Sequence, residues 1–256
     1  MKAVNFDLRA YFSRIGFQGV ASADFATLKS MMRCQLFSVP FENLDVQEGK
    51  VVSLVPEEIC AKIVDRKRGG YCYEVNGLFA MALEALGIQY RFVAARPMTY
   101  AVRRPRTHLA IVAGIGEEQW LCDLGFGSYG IREPIDLDWL DREIRQNPAV
   151  FRLSRNAEEV YVLQRLAAAT WKNLYEFTLS PQEWVDFEPA NYFNSTHPDS
   201  VFVRSLLVVR QTPTGKCVLH GSRFKVESAD GIEERIVVPE DLPALLSREF
   251  GLRLQV

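Results

Sequence analysis

The spacing of apolar positions changes about a third of the way along the chain, and that change predicts the architecture. Between residues 7 and 33, Leu8, Tyr11, Phe12 and Ile15 make one stripe at helical spacing, and Leu28, Met31 and Met32 make another. Gly16 and Gly19 separate the two helices, and the stretch from Ser22 to Asp24 offers a cap for the second. A turn-like segment, Val39-Pro40-Phe41-Glu42-Asn43-Leu44-Asp45, follows. Pro56-Glu57-Glu58 then opens a further helix, with proline in its first turn and acidic residues at its positive end. Val75, Leu78, Phe79, Ala82, Leu83 and Leu86 mark another, stopped by Gly87.

Past Gly87 the helical period disappears. Tyr90–Ala95, His108–Ala113, Trp120–Leu124, Val160–Gln164 and Val203–Arg210 are short, β-branched or aromatic runs divided by turn residues. A last helix is expected over Pro239–Phe250, ending near Gly251. A helical first third followed by a mostly β middle reads as α+β. No repeat and no low-complexity segment interrupts the pattern.

Composition narrows the function. With 256 residues, 48% of them hydrophobic, the chain can fill a sizeable core. A net charge of −2 gives no reason to expect nucleic acid or a membrane surface as the main partner. The opening MKAVNFDLRAYFSRIGF contains no signal-peptide core, and no stretch has the length to cross a bilayer, so a cytoplasmic protein is expected. Five cysteines without C-x-x-C spacing argue against a zinc site and against a disulfide framework; no metal is expected.

One of those cysteines is placed for chemistry. In Arg68-Gly69-Gly70-Tyr71-Cys72-Tyr73-Glu74 the glycines break the backbone just before the central helix, which puts Cys72 in its first turn. Unpaired backbone N–H groups and the positive end of the helix dipole there favour the thiolate. An imidazole partner must come from His108, His197 or His220. His108 opens one β run and Asp123 closes the next, with Gly114–Glu118 as the hairpin connection between them. If the turn centres between Ile115 and Gly116, the two face each other with Cβ atoms about 4.5–5.5 Å apart, close enough to hydrogen-bond. Cys72, His108 and Asp123 then form a nucleophile, a base and an orienting group.

These residues resemble the arylamine N-acetyltransferase family. Arg68–Gly77 is similar to its nucleophile motif, Thr107-His108-Leu109-Ala110 to its histidine motif, and Asp123-Leu124-Gly125-Phe126-Gly127 to its aspartate motif. Pro40–Asp45 and Asn194–Phe202 extend the likeness over nearly the whole chain. The resemblance implies a helical bundle over 1–86 carrying the nucleophile, a β-barrel over 87–190 carrying His108 and Asp123, and an α/β lid over 191–256. It also implies acetyl transfer from acetyl-coenzyme A to an arylamine, arylhydrazine or arylhydroxylamine by a ping-pong route.

By the same resemblance, Glu42 and Arg68 form a structural ion pair, and Tyr71, Thr107, Phe126, Gly127 and Phe202 line the acyl and amine pocket. Arg103 and Arg104, in a basic run before His108, are candidates to dock the coenzyme's phosphates, because no glycine-rich phosphate loop occurs elsewhere. Met32 and Gln35 stand where the family often has histidines, and the chain ends soon after Gly251 where many relatives continue. A related amide synthase using a longer acyl thioester is the alternative reading. A transglutaminase-like cysteine enzyme is a more distant one.

Overall fold

The computed structural model describes residues 1–229 and 231–252. Helices α1 (Leu8–Ile15) and α2 (Phe25–Ser38) are capped by Asp7 and Asp24, whose carboxylates accept from the N–H groups of Ala10 and Thr27. Their stripes bury Tyr11, Ile15, Leu28, Met31 and Met32. Gln35, one turn after Met32, is buried and bonded at both ends of its amide: it accepts from the Tyr11 hydroxyl at 2.7 Å and donates to the Val75 carbonyl at 2.7 Å.

Phe41–Glu42, expected as part of a turn, is a two-residue strand, β1, followed by a short helix, α3 (Leu44–Gln47). The correction has a long-range cause, since β1 pairs with a strand from the last third of the chain. Helix α4 (Pro56–Cys60) runs on into a wide π-helical turn over Ala61–Asp65. The next helix, α5 (Cys72–Ala85), is buried on every side from Cys72 to Leu83. A helix that is apolar all round belongs at the centre of the molecule, and α5 packs there against the strands that follow.

Those strands are β2 (Gln89–Pro97), β3 (His108–Ile115), β4 (Glu118–Cys122), β5 (Ile135–Asp136), β6 (Ile144–Gln146), β7 (Ala149–Arg155), β8 (Tyr161–Ala167) and β9 (Thr170–Phe177). They form one antiparallel sheet in the order β5-β4-β3-β2-β9-β8-β7-β6, curled into a near-closed barrel. Phe151 and Leu153 of β7, with Tyr161 and Leu163 of β8, alternate inward and fill it. From His108 to Ala113, β3 is buried at every position because α5 covers its other face.

Two helices, α6 (Glu188–Thr196) and α7 (Val201–Arg204), lead to β10 (Leu207–Thr212), β11 (Gly215–His220), β12 (Arg223–Ser228) and β13 (Gly231–Ile236), and α8 (Leu242–Phe250) closes the described chain. These strands and β1 make a second antiparallel sheet, β1-β10-β11-β12-β13, packed on α8 through Val208, Leu219, Phe224, Leu246 and Phe250. The run expected as one strand over Val203–Arg210 is therefore split. Ser200 caps α7 through the Phe202 N–H, and the chain becomes extended only at Ser205. The molecule is α+β, as the change of period predicts. No helix among the described residues is long and apolar enough to cross a membrane.

Candidate active site

The start of α5 is held from below by charge. Tyr71, in extended conformation, donates its N–H to the Glu74 carboxylate at 3.0 Å. The other Glu74 oxygen meets Lys62 Nζ at 2.6 Å, and Lys62 also reaches Asp45 at 2.5 Å. Arg68 donates through Nε to Glu42 at 2.9 Å and through Nη2 to Asp45 at 3.1 Å. The expected Glu42–Arg68 contact is thus one edge of a five-residue network. Lys62, on the wide turn after α4, is its buried cation. Burial pushes the Glu74 carboxyl up to about 7, with the Glu42 charge adding and Lys62 opposing. Lys62 and Glu74 were not legible as site residues, because what joins them is the shape of the π turn.

On the face above, Cys72 is the first residue of α5 and is 2% exposed. Burial pushes its thiol up and the Asp123 charge acts in the same direction, while backbone N–H groups of Leu109 and Tyr73 pull it down. The helix-start donors expected to favour the thiolate are therefore present, but desolvation outweighs them in the free protein. An isolated thiolate is disfavoured here.

His108 and Asp123 meet, although by a different register from the expected one. The β3–β4 turn is the two-residue loop Gly116-Glu117, and Gly116 takes the positive φ of 62° that the turn requires. His108 and Asp123 are diagonal rather than directly opposed, and Asp123 lies just past the end of β4. Moving the turn by one residue shifts partners by two, which keeps both side chains on one face. His108 Nε2 lies 2.8 Å from Asp123 Oδ2.

Asp123 is fully buried, which alone would raise its pKa. The His108 ring, the Gly125 N–H at 2.9 Å and the Asn76 amide at 3.3 Å instead hold it below the usual carboxylate value. Asn76 is the site residue that sequence reasoning passed over. It lies one helical turn after Cys72, donates to the Leu109 carbonyl at 2.8 Å and accepts from the Leu124 N–H at 3.0 Å, so it fastens α5 to β3 and to the segment that follows β4. The spacing of 72 and 76 was the available signal.

Cys72 and His108 open into one cavity of about 420 Å³. Thr107, Phe126, Gly127 and Phe202 line it as expected, together with Phe41 and Arg104. Tyr71 does not line it. Its ring is fully buried behind Phe202, and its hydroxyl is held by Asn191 and by Ser195 at 3.1 Å. Arg103 does not line it either, since it is paired with Glu176 at 2.7 Å on the surface. Arg104 differs from its neighbour. Its guanidinium lies 4.9 Å from the centre of the Tyr100 ring, and its buried Nε finds no partner. The Phe202 carbonyl accepts from Asn43 at 2.7 Å, which ties α7 over the cavity. Among the described residues, no cluster of His, Cys, Asp and Glu could hold a metal ion.

Gly125 makes the close approach possible. A Cβ there would stand 2.5 Å from the Cys72 Cα and 2.8 Å from the Asn76 amide nitrogen. Gly125→Ala must displace the Cys72 turn, and a misplacement of about 1 Å costs on the order of a hundredfold in turnover. Steady-state kinetics should show kcat falling by about that factor. An unchanged kcat would mean the turn tolerates the shift.

A helix-start cysteine and a carboxylate-bound imidazole opening on one apolar cavity are the arrangement of a thiol-dependent acyl-transfer enzyme. A family model described as N-acetyltransferase matches residues 24–256. The chain is 34% identical over 259 residues to the arylamine N-acetyltransferase of Mycolicibacterium smegmatis, a match spanning 97% of this chain and 92% of that protein. The solved Nocardia farcinica arylamine N-acetyltransferase superposes with a TM-score of 0.91 at 35% identity, covering 98% of this chain and 91% of that one. The Mycobacterium marinum arylamine N-acetyltransferase in complex with CoA does so with a TM-score of 0.88 at 29% identity, covering 96% and 93%. This chain belongs to the arylamine N-acetyltransferase family.

Proposed function

We propose that this enzyme transfers acetyl from acetyl-coenzyme A to arylamines, arylhydrazines or arylhydroxylamines, with Cys72 as nucleophile, His108 as base and Asp123 as orienting group. The observation that carries the reading is the opening of the Cys72 thiol and the Asp123-bound His108 ring on the same apolar cavity. Because burial disfavours a lone thiolate, Cys72 ionises only as its proton passes to His108, whose new charge is compensated by Asp123. With Nε2 committed to Asp123, Nδ1 is the position left to exchange protons.

The thiolate adds to the acetyl carbonyl, and the oxyanion is met by backbone N–H groups at the start of α5, that of Tyr73 among them. The C–S bond to coenzyme A breaks, the imidazolium proton goes to the departing sulfur, and acetyl-Cys72 remains. An amine then adds to this thioester, His108 takes its proton, and Cys72 leaves as thiolate to be reprotonated. One thioester replaces another in the first half, so little driving force is needed there. Phe41, Phe126 and Phe202 keep water from the acetyl-enzyme and offer faces to a flat amine. All five cysteines are free thiols, which fits a reducing compartment such as the cytoplasm.

Unpaired Arg104 at the cavity wall is the better candidate for a coenzyme phosphate than Arg103, which Glu176 already neutralises. Initial rates with both substrates varied should give parallel double-reciprocal lines. Arg104→Ala should raise the KM for acetyl-coenzyme A several-fold, and Arg103→Ala should raise it much less. Converging lines would contradict the two-step route, and equal effects of the two variants would remove the distinction between the arginines.

A further inference from the structure

The cavity wall at Thr99 and Tyr129 is shared with a second, open groove of about 630 Å³ on the β8–β9 end of the barrel. Here Arg165 of β8 and Lys172 of β9 are direct cross-strand partners. Like charges directly opposed across an antiparallel pair repel, and a nearby carboxylate is the ordinary remedy. Among the described residues, neither side chain forms an ion pair with a carboxylate.

A third cation adds to the excess. The Arg165 guanidinium lies 5.5 Å from the centre of the Tyr129 ring, and Lys216 Nζ lies 5.0 Å from the same ring. Lys216 has Glu227 at 3.2 Å, so of the two cations at this half-exposed tyrosine Lys216 is paired and Arg165 is not, and Lys172 lines the same groove as Arg165. Burial holds the Lys216 ammonium below its usual value, with Glu227 opposing and Arg165 and Lys225 adding to the effect. A concave surface concentrates such a field.

We propose that this groove takes the phosphate-bearing nucleotide end of the coenzyme thioester, with Arg165 and Lys172 closing on one phosphate and Tyr129 marking the passage to the acyl site. The proposal rests on the reading of acetyl-coenzyme A as donor and adds residues to it that no motif contains. A dianionic phosphate between the two cations turns a repulsion into two charge-assisted contacts. The Arg165–Lys172 pair is therefore a poor neighbour in the empty protein and a good one in the complex.

The test compares acetyl-coenzyme A, its 3′-dephospho form and acetyl-pantetheine as donors, in the wild type, in Arg165→Gln/Lys172→Gln and in the surface control Arg145→Gln. The readout is the ratio of kcat/KM for acetyl-coenzyme A to that for acetyl-pantetheine. The double variant should lower this ratio about five- to tenfold and flatten its dependence on salt. The 3′-dephospho donor locates the phosphate, and the control should leave the ratio in place. An unchanged ratio, or an equal fall for every donor, overturns the proposal.

Calorimetric binding of coenzyme A and of pantetheine, read without any transfer, separates the two readings. A coenzyme preference that the double variant loses supports the groove even if no amine is acetylated. Transfer with an unaltered preference removes the groove and leaves the proposed function standing.

Discussion

Asp123→Asn is expected to lower kcat about 10⁴-fold while the chain still melts cooperatively. One Asp123 oxygen binds His108 Nε2 at 2.8 Å, and the other accepts from the Gly125 N–H and the Asn76 amide. An asparagine that keeps its carbonyl toward those two donors must turn its NH₂ toward Nε2. That nitrogen then becomes an acceptor, the ring proton moves to Nδ1, and the position that should take the thiol proton is already filled.

The same substitution makes a separate prediction about pH. The folded value of Asp123 is depressed, so its charge contributes stability that is present above the unfolded carboxylate pKa and is lost as pH falls through the folded value. Asp123→Asn should therefore flatten the acid end of the stability profile. Loss of cooperative melting at neutral pH would instead make Asp123 a structural residue first, and a kcat within tenfold of wild type would remove its orienting role.

Lys62→Met is expected to cost about 3–5 kcal/mol of stability, the range for removing one member of a buried ion cluster. Lys62 lies within 2.6 Å of both Glu74 and Asp45 and within 3.9 Å of Glu42, and it is the main influence opposing the rise in the Glu74 pKa. In the wild type the Glu74 carboxyl is already pushed up to about 7 from its ordinary 4.5. A raised carboxyl contributes stability at low pH that is lost as pH rises through the folded value.

Without Lys62 that value rises further. The penalty should therefore be largest near pH 8 and smaller near about pH 5, where Glu74 is protonated. Denaturant unfolding at the two pH values measures this directly. A penalty below about 1 kcal/mol, or one equal at both pH values, would show that the network is not held together by charge. Because Glu74 binds the N–H of Tyr71, the residue before Cys72, the variant should also disturb the turn that carries Cys72.

What the sequence disclosed and what it concealed follow from range. Cys72 at the start of a helix was legible because two glycines, a helical apolar period and a stop at Gly87 all lie within one short stretch. The His108–Asp123 pairing was legible even with the turn misplaced by one residue, since a shift of two along a strand preserves the face. Strands β7 and β9 were hidden by the charged and polar residues that alternate with their inward apolar ones, in AVFRLSR and TWKNLYEF.

The remaining differences arise from contacts between distant parts of the chain. The Phe41–Glu42 strand forms against Val208 and Val209. Tyr71 is drawn away from the cavity by Asn191 and Ser195, and Arg103 is neutralised by Glu176. Local propensity contains none of these partners. The motif residues nonetheless come together in space, around the one cavity where α5, the hairpin and α7 meet.

Mass spectrometry of the protein after incubation with acetyl-coenzyme A alone tests the central claim most directly. The wild type should gain one acetyl group on the peptide containing Cys72, lose it on addition of an arylamine, and gain none in Cys72→Ala. An enzyme that acetylates the amine without ever showing acetyl on Cys72, or a Cys72→Ala protein that still transfers, would contradict the account.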